Sequence, residues 1–474
     1  MLIGRERERT LLNSAVNDKE PHFIAVYGRR RIGKTYLVRE VFGNRFTFQH
    51  TGIANGSFAD QLGAFHSSLR DYGLKAEGAF HSWYEAFDSL KDLIRNSSEK
   101  RKVVFIDELS WMDTPRGNLI SALEHFWNGW ASSRKDVVLI ICASATAWML
   151  NKVIHDKGGL YHRLTEQIHL KQFCLSECED YIRARGLVLT RLQILQYYMI
   201  FGGVPFYWTF LEKGLSLSQN IDRILFSEEA PLKDEFEYLY ASIFKKPESY
   251  LEIVRALGKK KIGMARDEII EATGKANSGE LTKKLSELES CGFIRKYRSF
   301  GKEKKDSLYQ LIDFFTLFHF MFLLGKPTDE NFWSNQINTP VINTWLGLAF
   351  ERVCMEHVPQ MKQKLGISGV LTDVCSLYCK ADPDKGIRGS QIDLLIVRRD
   401  QVINLCEMKY SATEYSITES VDMVLRRKIN DLILVTGTKH AVFPTLVTTL
   451  GLNDNMYSGN IQSVITLDDL FARN

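Results

Sequence analysis

Runs of apolar residues separated by amphipathic stretches dominate the N-terminal part of the chain. Phe23–Tyr27, Lys102–Ile106 and Val137–Ser144 are short and rich in β-branched residues, as is typical of strands buried on both faces of a parallel sheet. Phe46–His50 is a further candidate strand, and Trp83–Leu93 has the spacing of a helix. This alternation of strand and helix predicts an α/β fold.

The loop Gly28–Thr35 follows the first apolar strand and precedes a helix predicted at Tyr36–Phe42. Its sequence fits G-x-x-x-x-G-K-[ST], a pattern in which backbone N–H groups and a helix N-terminus bind phosphate. Lys34 is expected to reach the β- and γ-phosphates and Thr35 to hold Mg²⁺. A chance glycine turn is the alternative. The residues expected to bind ATP in this segment are Gly28, Arg29, Arg30, Arg31, Ile32, Gly33, Lys34, Thr35 and Tyr36.

The strand that begins at Lys102 ends in two carboxylates, Asp107 and Glu108. Asp107 is expected to order Mg²⁺ through its water shell, and Glu108 to polarise the attacking water. Ser144, at the end of the next apolar strand, either senses the γ-phosphate, or starts a turn or caps the helix predicted at Thr146–Leu150. Arg163 is either a cation that stabilises the transferring phosphoryl group, in cis or from a neighbouring subunit, or an ordinary surface arginine.

Composition narrows the class of protein further. The chain has 474 residues and a net charge of +4, so several domains are expected and no global charge indicates a nucleic-acid partner. The N-terminus lacks the apolar core of a signal peptide, and Phe314–Leu324 is too short to span a membrane. The eight cysteines are scattered without a zinc-ligand pattern. We therefore expect reduced thiols in a cytoplasmic protein.

The middle of the chain predicts two helical segments. Helices at Ser176–Arg185 and Arg191–Ile200 end at the break Gly202–Pro205, where Pro205 lies at the bend of a helical lid or of a plain connector. Helices at Tyr250–Leu257, Ala265–Thr273 and Ser278–Glu289 and a hairpin of Ile294–Tyr297 with Ser307–Leu311 then predict a winged helix. Its basic residues, which either face DNA or surround a protein-interaction module, are Lys283, Lys284, Arg295, Lys296, Arg298, Lys302, Lys304 and Lys305.

A second set of polar residues lies near the C-terminus. Asp393 lies on a predicted strand at Gln391–Val397, and Glu407 and Lys409 lie on the next one at Val402–Lys409. Glu407 and Lys409 are two positions apart and so share a face of the sheet. With Glu351 from a preceding helix, Asp393 and Glu407 form a set suited to Mg²⁺, and Lys409 is placed to orient the attacking water. A buried salt bridge in an ordinary hairpin is the alternative.

A helix at Ile417–Lys428 and an apolar strand at Leu432–Thr436 are predicted after this hairpin. Because Gly369–Tyr378 contains a further strand-like run before Gln391, the predicted order of elements around the carboxylates is α-β-β-β-α-β.

The motifs together resemble a known family. Gly4-Arg5-Glu6, the Gly28–Thr35 loop, Val103–Glu108, Ile141–Ser144 and Gly202–Pro205 follow one another as in the archaeal-type ATPase family, which belongs to the STAND ATPases and is related to the AAA+ proteins. The resemblance implies an α/β P-loop ATPase core, a helical lid and a winged helix. Gly4 and Arg5 would lie near the adenine, and Pro205 would couple the lid to the nucleotide.

The C-terminal order of elements resembles the restriction-endonuclease-like PD-(D/E)xK fold, except that Gln391 and Ile392 precede Asp393 where a proline is usual. The expected domains are an ATPase core at 1–172, a lid at 173–240, a winged helix at 241–328 and a nuclease-like domain at 329–474.

The sequence thus predicts an ATP-hydrolysing switch that binds ATP or ADP and Mg²⁺ and controls a nuclease-like domain acting on DNA, in DNA processing or defence. A nucleotide-dependent homo-oligomer is compatible with this prediction, and no membrane partner is expected. Two alternatives stay open: a signalling or scaffold ATPase whose last domain only binds a partner, and a transcription regulator acting through the winged helix.

Overall fold

The computed structural model describes residues 2–43, 45–75, 78–155, 158–244, 246–301, 307–325 and 329–473. The chain forms two compact units, Met1–Gln172 and Phe173–Asn474. Lys302, Lys304 and Lys305 of the predicted wing lie outside the described residues. None of the helices in the described ranges is both long and apolar enough to cross a membrane.

The first unit is built on a parallel five-stranded sheet. Its strands are β1 (His22–Tyr27), β2 (Phe48–Thr51), β3 (Lys102–Asp107), β4 (Val137–Ala143) and β5 (Glu166–His169), in the order β2-β3-β4-β1-β5. The sequence predicted β1 to β4, although β2 begins two residues later than the predicted Phe46, and it did not predict β5. Parallel pairing needs crossover connections, which the intervening helices supply.

Helices cover both faces of this sheet. They span Glu6–Asn17, Lys34–Phe42, Phe58–Asp71, Trp83–Asn96, Leu109–Met112, Leu119–Gly129 and Thr146–Met149, the last continued by Leu150–Ile154. Alternate residues of β1 belong to opposite cores: Phe23 and Ala25 pack in one cluster, and Ile24 and Val26 pack in the other. Because both faces are buried, each strand reads as a continuous apolar run.

The second unit begins with helices around an aromatic core. They span Leu175–Ala184, Arg191–Phe201, Pro205–Trp208, Leu217–Ile221 with its continuation Asp222–Phe226, and Glu235–Ala241. The helix from Arg191 ends at Gly202, as the sequence predicts. A Cβ on Gly203 would lie 1.8 Å from the carbonyl oxygen of Phe173, so only glycine fits at this turn.

Three helices and a small antiparallel sheet follow. The helices span Glu248–Gly258, Arg266–Thr273 and Gly279–Ser290, and the sheet pairs β6 (Met264–Ala265), β8 (Leu308–Leu311) and β7 (Ile294–Tyr297) in that order. The predicted hairpin is present, and Ser278 caps the third helix by accepting a hydrogen bond from the amide of Leu281. A further apolar helix follows as Phe314–Phe318, continued by His319–Leu323.

A mixed five-stranded sheet forms the C-terminal part of the second unit. Its strands are β9 (Thr372–Cys379), β10 (Ser390–Arg398), β11 (Val402–Lys409), β12 (Ala441–Thr448) and β13 (Ser463–Ile465), in the order β13-β12-β11-β10-β9. β9, β10 and β11 are antiparallel, and β12 and β13 run parallel to β11. The accompanying helices span Phe332–Asn335, Pro340–Glu356, Val358–Lys364, Glu419–Thr436 and Leu467–Leu470.

The predicted strand Leu432–Thr436 is wrong. These residues are the last turns of the helix Glu419–Thr436, and the strand that follows is β12. Leu432 is buried, whereas Ile433, Leu434 and Val435 are exposed. An apolar run of five residues cannot by periodicity alone be assigned to a strand or to a helix end. All eight cysteines are unpaired in the structure, and the reduced state of the thiols stays a prediction.

Candidate functional site

The strand order of the first unit brings its polar motifs to one edge. β4 lies between β1 and β3 in a parallel sheet, so the carboxyl ends of all three strands lie side by side. Gly28 follows β1, Asp107 ends β3 and Ser144 follows β4. Ligands of open parallel sheets bind at this edge.

The loop after β1 has a backbone that its glycines permit. Gly28 and Gly33 have φ of 143° and 89°, values that residues with a Cβ rarely adopt. A Cβ on Gly28 would also lie 2.2 Å from the carbonyl oxygen of Leu170. Ile32 is buried in the core on one face of the sheet, so its side chain fixes the loop to that core. The helix begins at Lys34, and its N-terminus lies within the predicted ATP-binding segment.

Lys34 is buried and bonded to the loop itself. Its Nζ donates to the carbonyl oxygens of Gly28 and Arg29, at 2.9 Å each. Both bonds are to neutral acceptors, and a phosphate oxygen would be a stronger partner for the ammonium group. The side chain is therefore held over the loop, where a triphosphate is expected.

The two motifs of the first unit meet through Thr35 and Asp107. The Thr35 hydroxyl donates to Asp107 Oδ2 at 2.6 Å. The other oxygen of Asp107 accepts a hydrogen bond from the amide of Glu108 at 2.9 Å. Burial raises the pKa of the Cys142 thiol in the middle strand, β4. The charges of Asp107, Lys34 and Glu108 also act on this pKa.

Glu108 is held by Ser144. The Ser144 amide donates to Glu108 Oε2 at 3.1 Å, and the Ser144 hydroxyl donates to Oε1. Glu108 itself has a left-handed backbone, with φ of 48°. The prediction that Ser144 caps the following helix is wrong, because Ala145 is its N-cap residue. The serine hydroxyl donates its hydrogen bond to the Glu108 carboxylate instead.

The remaining predicted residues of the first unit have different surroundings. Gly4 and Arg5 both have φ of 62°, and Arg5 donates to the carbonyl oxygen of Lys171 at 2.6 Å. Arg29 is buried, and the Arg30 guanidinium lies 6.0 Å from the ring centre of Trp111. Arg31, with φ of 69°, is half-buried, and Tyr36 is exposed. Arg163 is exposed, and its side chain makes no hydrogen bond or ion pair with the described residues.

Pro205 belongs to the second unit, where it is the first residue of a short helix. Its fixed φ suits that position, because the missing N–H would have no helical partner there.

In the second unit, β10 and β11 present the predicted carboxylates. Asp393 and Glu407 each lie one residue beyond the paired residues Leu394 and Cys406, next to an irregularity of β10 between Ile392 and Leu395. Gln391 donates to Asp393 Oδ1 at 2.6 Å. The two carboxylates lie on neighbouring strands, β10 and β11, and their action as a pair stays a prediction.

Glu407 is bound by two lysines. Lys409 Nζ lies 2.9 Å from Glu407 Oε1, and Lys428 Nζ lies 2.6 Å from Oε2. Burial would raise the pKa of Glu407, but the charges of Lys428 and Lys409 outweigh it, so the pKa is lowered. Sequence reasoning missed Lys428, which lies on the helix Glu419–Thr436. That helix packs against β10. The sequence signal that could have revealed the contact is a lysine on the face of the helix that covers the sheet.

Glu351 lies near this group from the helix Pro340–Glu356. Burial, and next the charge of Asp393, raise the pKa of Glu351. Glu351 is also among the charges that raise the pKa of Lys409 against the effect of burial. Lys261 Nζ lies 2.9 Å from Glu351 Oε1 and 2.8 Å from Oε2. Among the described residues, however, no three His, Cys, Asp or Glu side chains are grouped so that they could hold a metal ion.

The basic residues predicted to face DNA are engaged within the protein, in the part that the structure describes. Lys283 and Lys284 pair with Glu287 and Glu280 of their own helix. Of the remaining three, Arg295 donates to Gln310, Lys296 lies over the ring of Tyr309, and Arg298 pairs with Asp373. Most of these pairs are exposed and therefore weak, and DNA could displace them. DNA binding by these residues stays a prediction.

Comparison with known proteins identifies the first domain. Residues 2–184 match the model of a family described as an ATPase domain predominantly from Archaea. The match supports an archaeal-type P-loop ATPase domain in this part of the chain. The prediction of an ATP-binding ATPase is confirmed at this level, and the α/β fold with its parallel sheet agrees with it.

Similarity beyond that domain is distant. An uncharacterized protein of Methanocaldococcus jannaschii is 25% identical over 370 residues, which cover 77% of this chain and 78% of that protein. Among solved structures, a Walker-type ATPase of Pyrococcus abyssi matches with a TM-score of 0.46 and 16% identity, over 67% of this chain and 95% of that one. The ORC2 protein of Aeropyrum pernix, in ADPNP–ADP complexes, matches with a TM-score of 0.34 and 17% identity, over 65% and 90%.

Proposed function

We propose that the protein hydrolyses ATP where β1, β3 and β4 end, and that Lys34, Thr35, Asp107 and Glu108 carry out the reaction. The observation that carries the proposal is the 2.6 Å hydrogen bond between Thr35 and Asp107. It joins the phosphate-binding loop to the acidic strand end, two motifs that a nucleotide triphosphatase needs at one place.

Each residue then has a distinct task. Lys34 exchanges the carbonyl oxygens of Gly28 and Arg29 for phosphate oxygens, and the loop amides bind the same group. A hydroxyl and a carboxylate are hard oxygen ligands, so Thr35 and Asp107 fit Mg²⁺, which would neutralise phosphate charge when bound. Glu108 orients the attacking water, and Ser144 sets the direction of the Glu108 carboxylate.

The other predicted residues extend this proposal. Gly4 and Arg5 contribute to the adenine side of the site. Arg163 is exposed and unpaired among the described residues, which suits a cation donated to the nucleotide of a neighbouring subunit in a homo-oligomer. Residues 173–240 form the lid, and Pro205 with its preceding glycines transmits the nucleotide state to it.

Phosphate release measured with Glu108→Gln tests the assignment. The variant is expected to bind ATP with normal affinity and to hydrolyse it about a hundredfold more slowly, because general-base positioning is lost while the phosphate contacts remain. Asp92→Asn, a carboxylate in an exposed pair with Arg95, is the matched control and should keep the wild-type rate. A wild-type rate in Glu108→Gln would refute the role of Glu108.

A nuclease-like action on DNA is the second candidate, favoured by the grouping of Glu351, Asp393, Glu407 and Lys409. In this proposal residues 241–328 are a winged helix that contacts DNA, and residues 329–474 are the domain that ATP hydrolysis controls. The side chains do not fit a metal ion in their present arrangement, because both oxygens of Glu407 are bound to lysines. We therefore derive no metal-dependent step.

Incubation with plasmid DNA separates cutting from binding. The full chain is tested with Mg²⁺, with and without ATP, beside Asp393→Ala and Lys34→Ala. Nicking by the wild type that is lost in Asp393→Ala supports a nuclease. If DNA is bound without being cut under any of these conditions, the scaffold or transcription-regulator alternatives are favoured, and absence of both binding and cutting removes DNA as a partner.

A further inference from the structure

A cavity of about 350 Å³ lies in the second unit, beside Glu351 of the C-terminal carboxylate group. It is partly open to solvent and is lined by the end of the helix Glu248–Gly258, by residues 317–321 and by the helix Pro340–Glu356. Leu317, Phe320, Trp345 and Leu348 give it an apolar wall. Its volume is in the range of small-molecule sites.

The polar groups around this cavity are hydrogen-bond donors. Lys259, Lys261 and Arg352 line it together with the apolar wall. Trp345 is 3% exposed, yet its indole N–H has no hydrogen-bond partner among the described residues. The Nε of Arg352, a residue that is 5% exposed, likewise lacks a partner in the described part of the chain. Buried donors without acceptors are rare in folded proteins, and they indicate a missing acceptor.

The charge of the lining points to an anion. Lys259 is exposed and makes no ion pair with any described residue, and burial lowers the pKa of Arg352. Both cations would gain from a negative group placed between them. Apolar side chains with a few convergent donors recognise a ligand that has an apolar body and an acidic head.

We propose that this cavity binds a small organic anion, whose carboxylate or phosphate group is held by Lys259, Lys261 and Arg352 and whose apolar body lies against Phe320, Trp345 and Leu348. The claim does not rest on the ATPase or nuclease proposal, although the lining residue Lys261 also contacts Glu351 of the proposed nuclease site.

Ligand binding is expected to compete with Glu351 for one lysine. Lys261 lines the cavity and also contacts both carboxylate oxygens of Glu351, at 2.9 and 2.8 Å. A bound anion would draw the Lys261 ammonium away from Glu351. The cavity is thereby linked to the carboxylate group that includes Asp393, whose charge acts on Glu351.

Isothermal titration calorimetry on the full chain tests the proposal, with saturating ADP present to occupy the first unit. The probes are 2-naphthoate, 1-naphthyl phosphate and the neutral 2-naphthamide. At least one anion is expected to bind, with the amide at least about tenfold weaker, and the stronger anion shows which head group is preferred. Binding of neither anion, or equal binding of the amide, would overturn the proposal.

Substitutions locate the site. Lys259→Ala combined with Lys261→Ala should weaken anion binding by more than about tenfold, whereas Lys283→Ala, on an exposed helix face, should leave it unchanged. Glu351→Gln should strengthen binding several-fold, because it releases Lys261. Unchanged affinity in the double variant, or weaker binding in Glu351→Gln, would contradict the assignment, and circular dichroism confirms that each variant is folded.

Discussion

Ser144 donates to both carboxylate oxygens of Glu108, through its amide at 3.1 Å and through its hydroxyl. The two residues follow neighbouring strands, β4 and β3, so the pairing is a direct result of the strand order. A serine at this position therefore fixes the direction of the carboxylate that is proposed to orient water.

Ser144→Ala is expected to slow ATP hydrolysis about tenfold while ATP affinity changes little. The amide contact remains, but the hydroxyl that holds Oε1 is lost, so Glu108 samples unproductive directions. Steady-state phosphate release and nucleotide titration measure the two quantities. Ser144→Thr retains the hydroxyl and should recover most of the rate; a normal rate in Ser144→Ala would show that this hydroxyl is dispensable.

Removal of Lys428 should destabilise the second unit. Glu407 is largely buried between Lys428 and Lys409, and Lys428→Met leaves it with one cation, at a cost of about 1–3 kcal/mol because the remaining pair is less well compensated. Urea unfolding followed by circular dichroism measures this cost. Lys385→Met, which breaks an exposed pair with Asp382, is the control, and an equal loss in both variants would contradict the account.

His50 should make the first unit sensitive to acid. Burial lowers the pKa of His50 to about 4, and its ring packs against Phe48 and Phe65. Between about pH 6.5 and pH 4 the unfolded chain binds a proton at this position that the folded chain does not, so stability is lost as the pH falls through that window. The expected contribution is about 3 kcal/mol.

His50→Phe checks this expectation, because phenylalanine keeps the aromatic packing and cannot be protonated. The difference in unfolding free energy between the variant and the wild type should grow as the pH falls from 6.5 to 4. His319 and His357 of the second unit also have pKa values lowered to about 4 by burial, so the difference, rather than the total slope, is diagnostic. A pH-independent difference would refute the prediction.

Gly203→Ala should unfold or severely destabilise the second unit, by several kcal/mol. The added Cβ would lie 1.8 Å from the carbonyl oxygen of Phe173, a backbone atom that also accepts a hydrogen bond from Tyr198. Thermal unfolding provides the measurement. Gly279→Ala is the matched control, because nothing lies within 4 Å of its Cβ position, and equal stability of the two variants would contradict the steric argument.

Local patterns predicted four of the five strands of the first unit, but not β5, whose sequence Glu166–His169 is mostly polar. The buried strands have continuous apolar runs, and the glycines of the Gly28–Thr35 loop indicate its backbone directly, so strand, loop and helix could be placed. The partner of Ser144 could not be predicted, because it depends on which strands are neighbours in the sheet, and this order is not encoded in any single segment.

In the second unit, too, contacts between segments that are distant in the sequence could not be predicted. Asp393 and Glu407 could be paired because a short hairpin fixes which residues face each other. Lys428 was missed, since its contact with Glu407 depends on how a helix lies on the sheet. Leu432–Thr436 was assigned to a strand because a helix end that is apolar on several sides has no helical periodicity to detect.

ATP hydrolysis by Lys34→Ala tests the central claim most directly, since Lys34 is buried in the phosphate-binding loop and makes no contact outside it in the hydrogen bonds observed. Phosphate release is measured beside the wild type and beside Lys135→Ala, whose lysine is exposed on the same unit. We predict that Lys34→Ala loses at least about 99% of the rate and that Lys135→Ala retains it. Hydrolysis by Lys34→Ala at the wild-type rate would contradict the assignment of the active site.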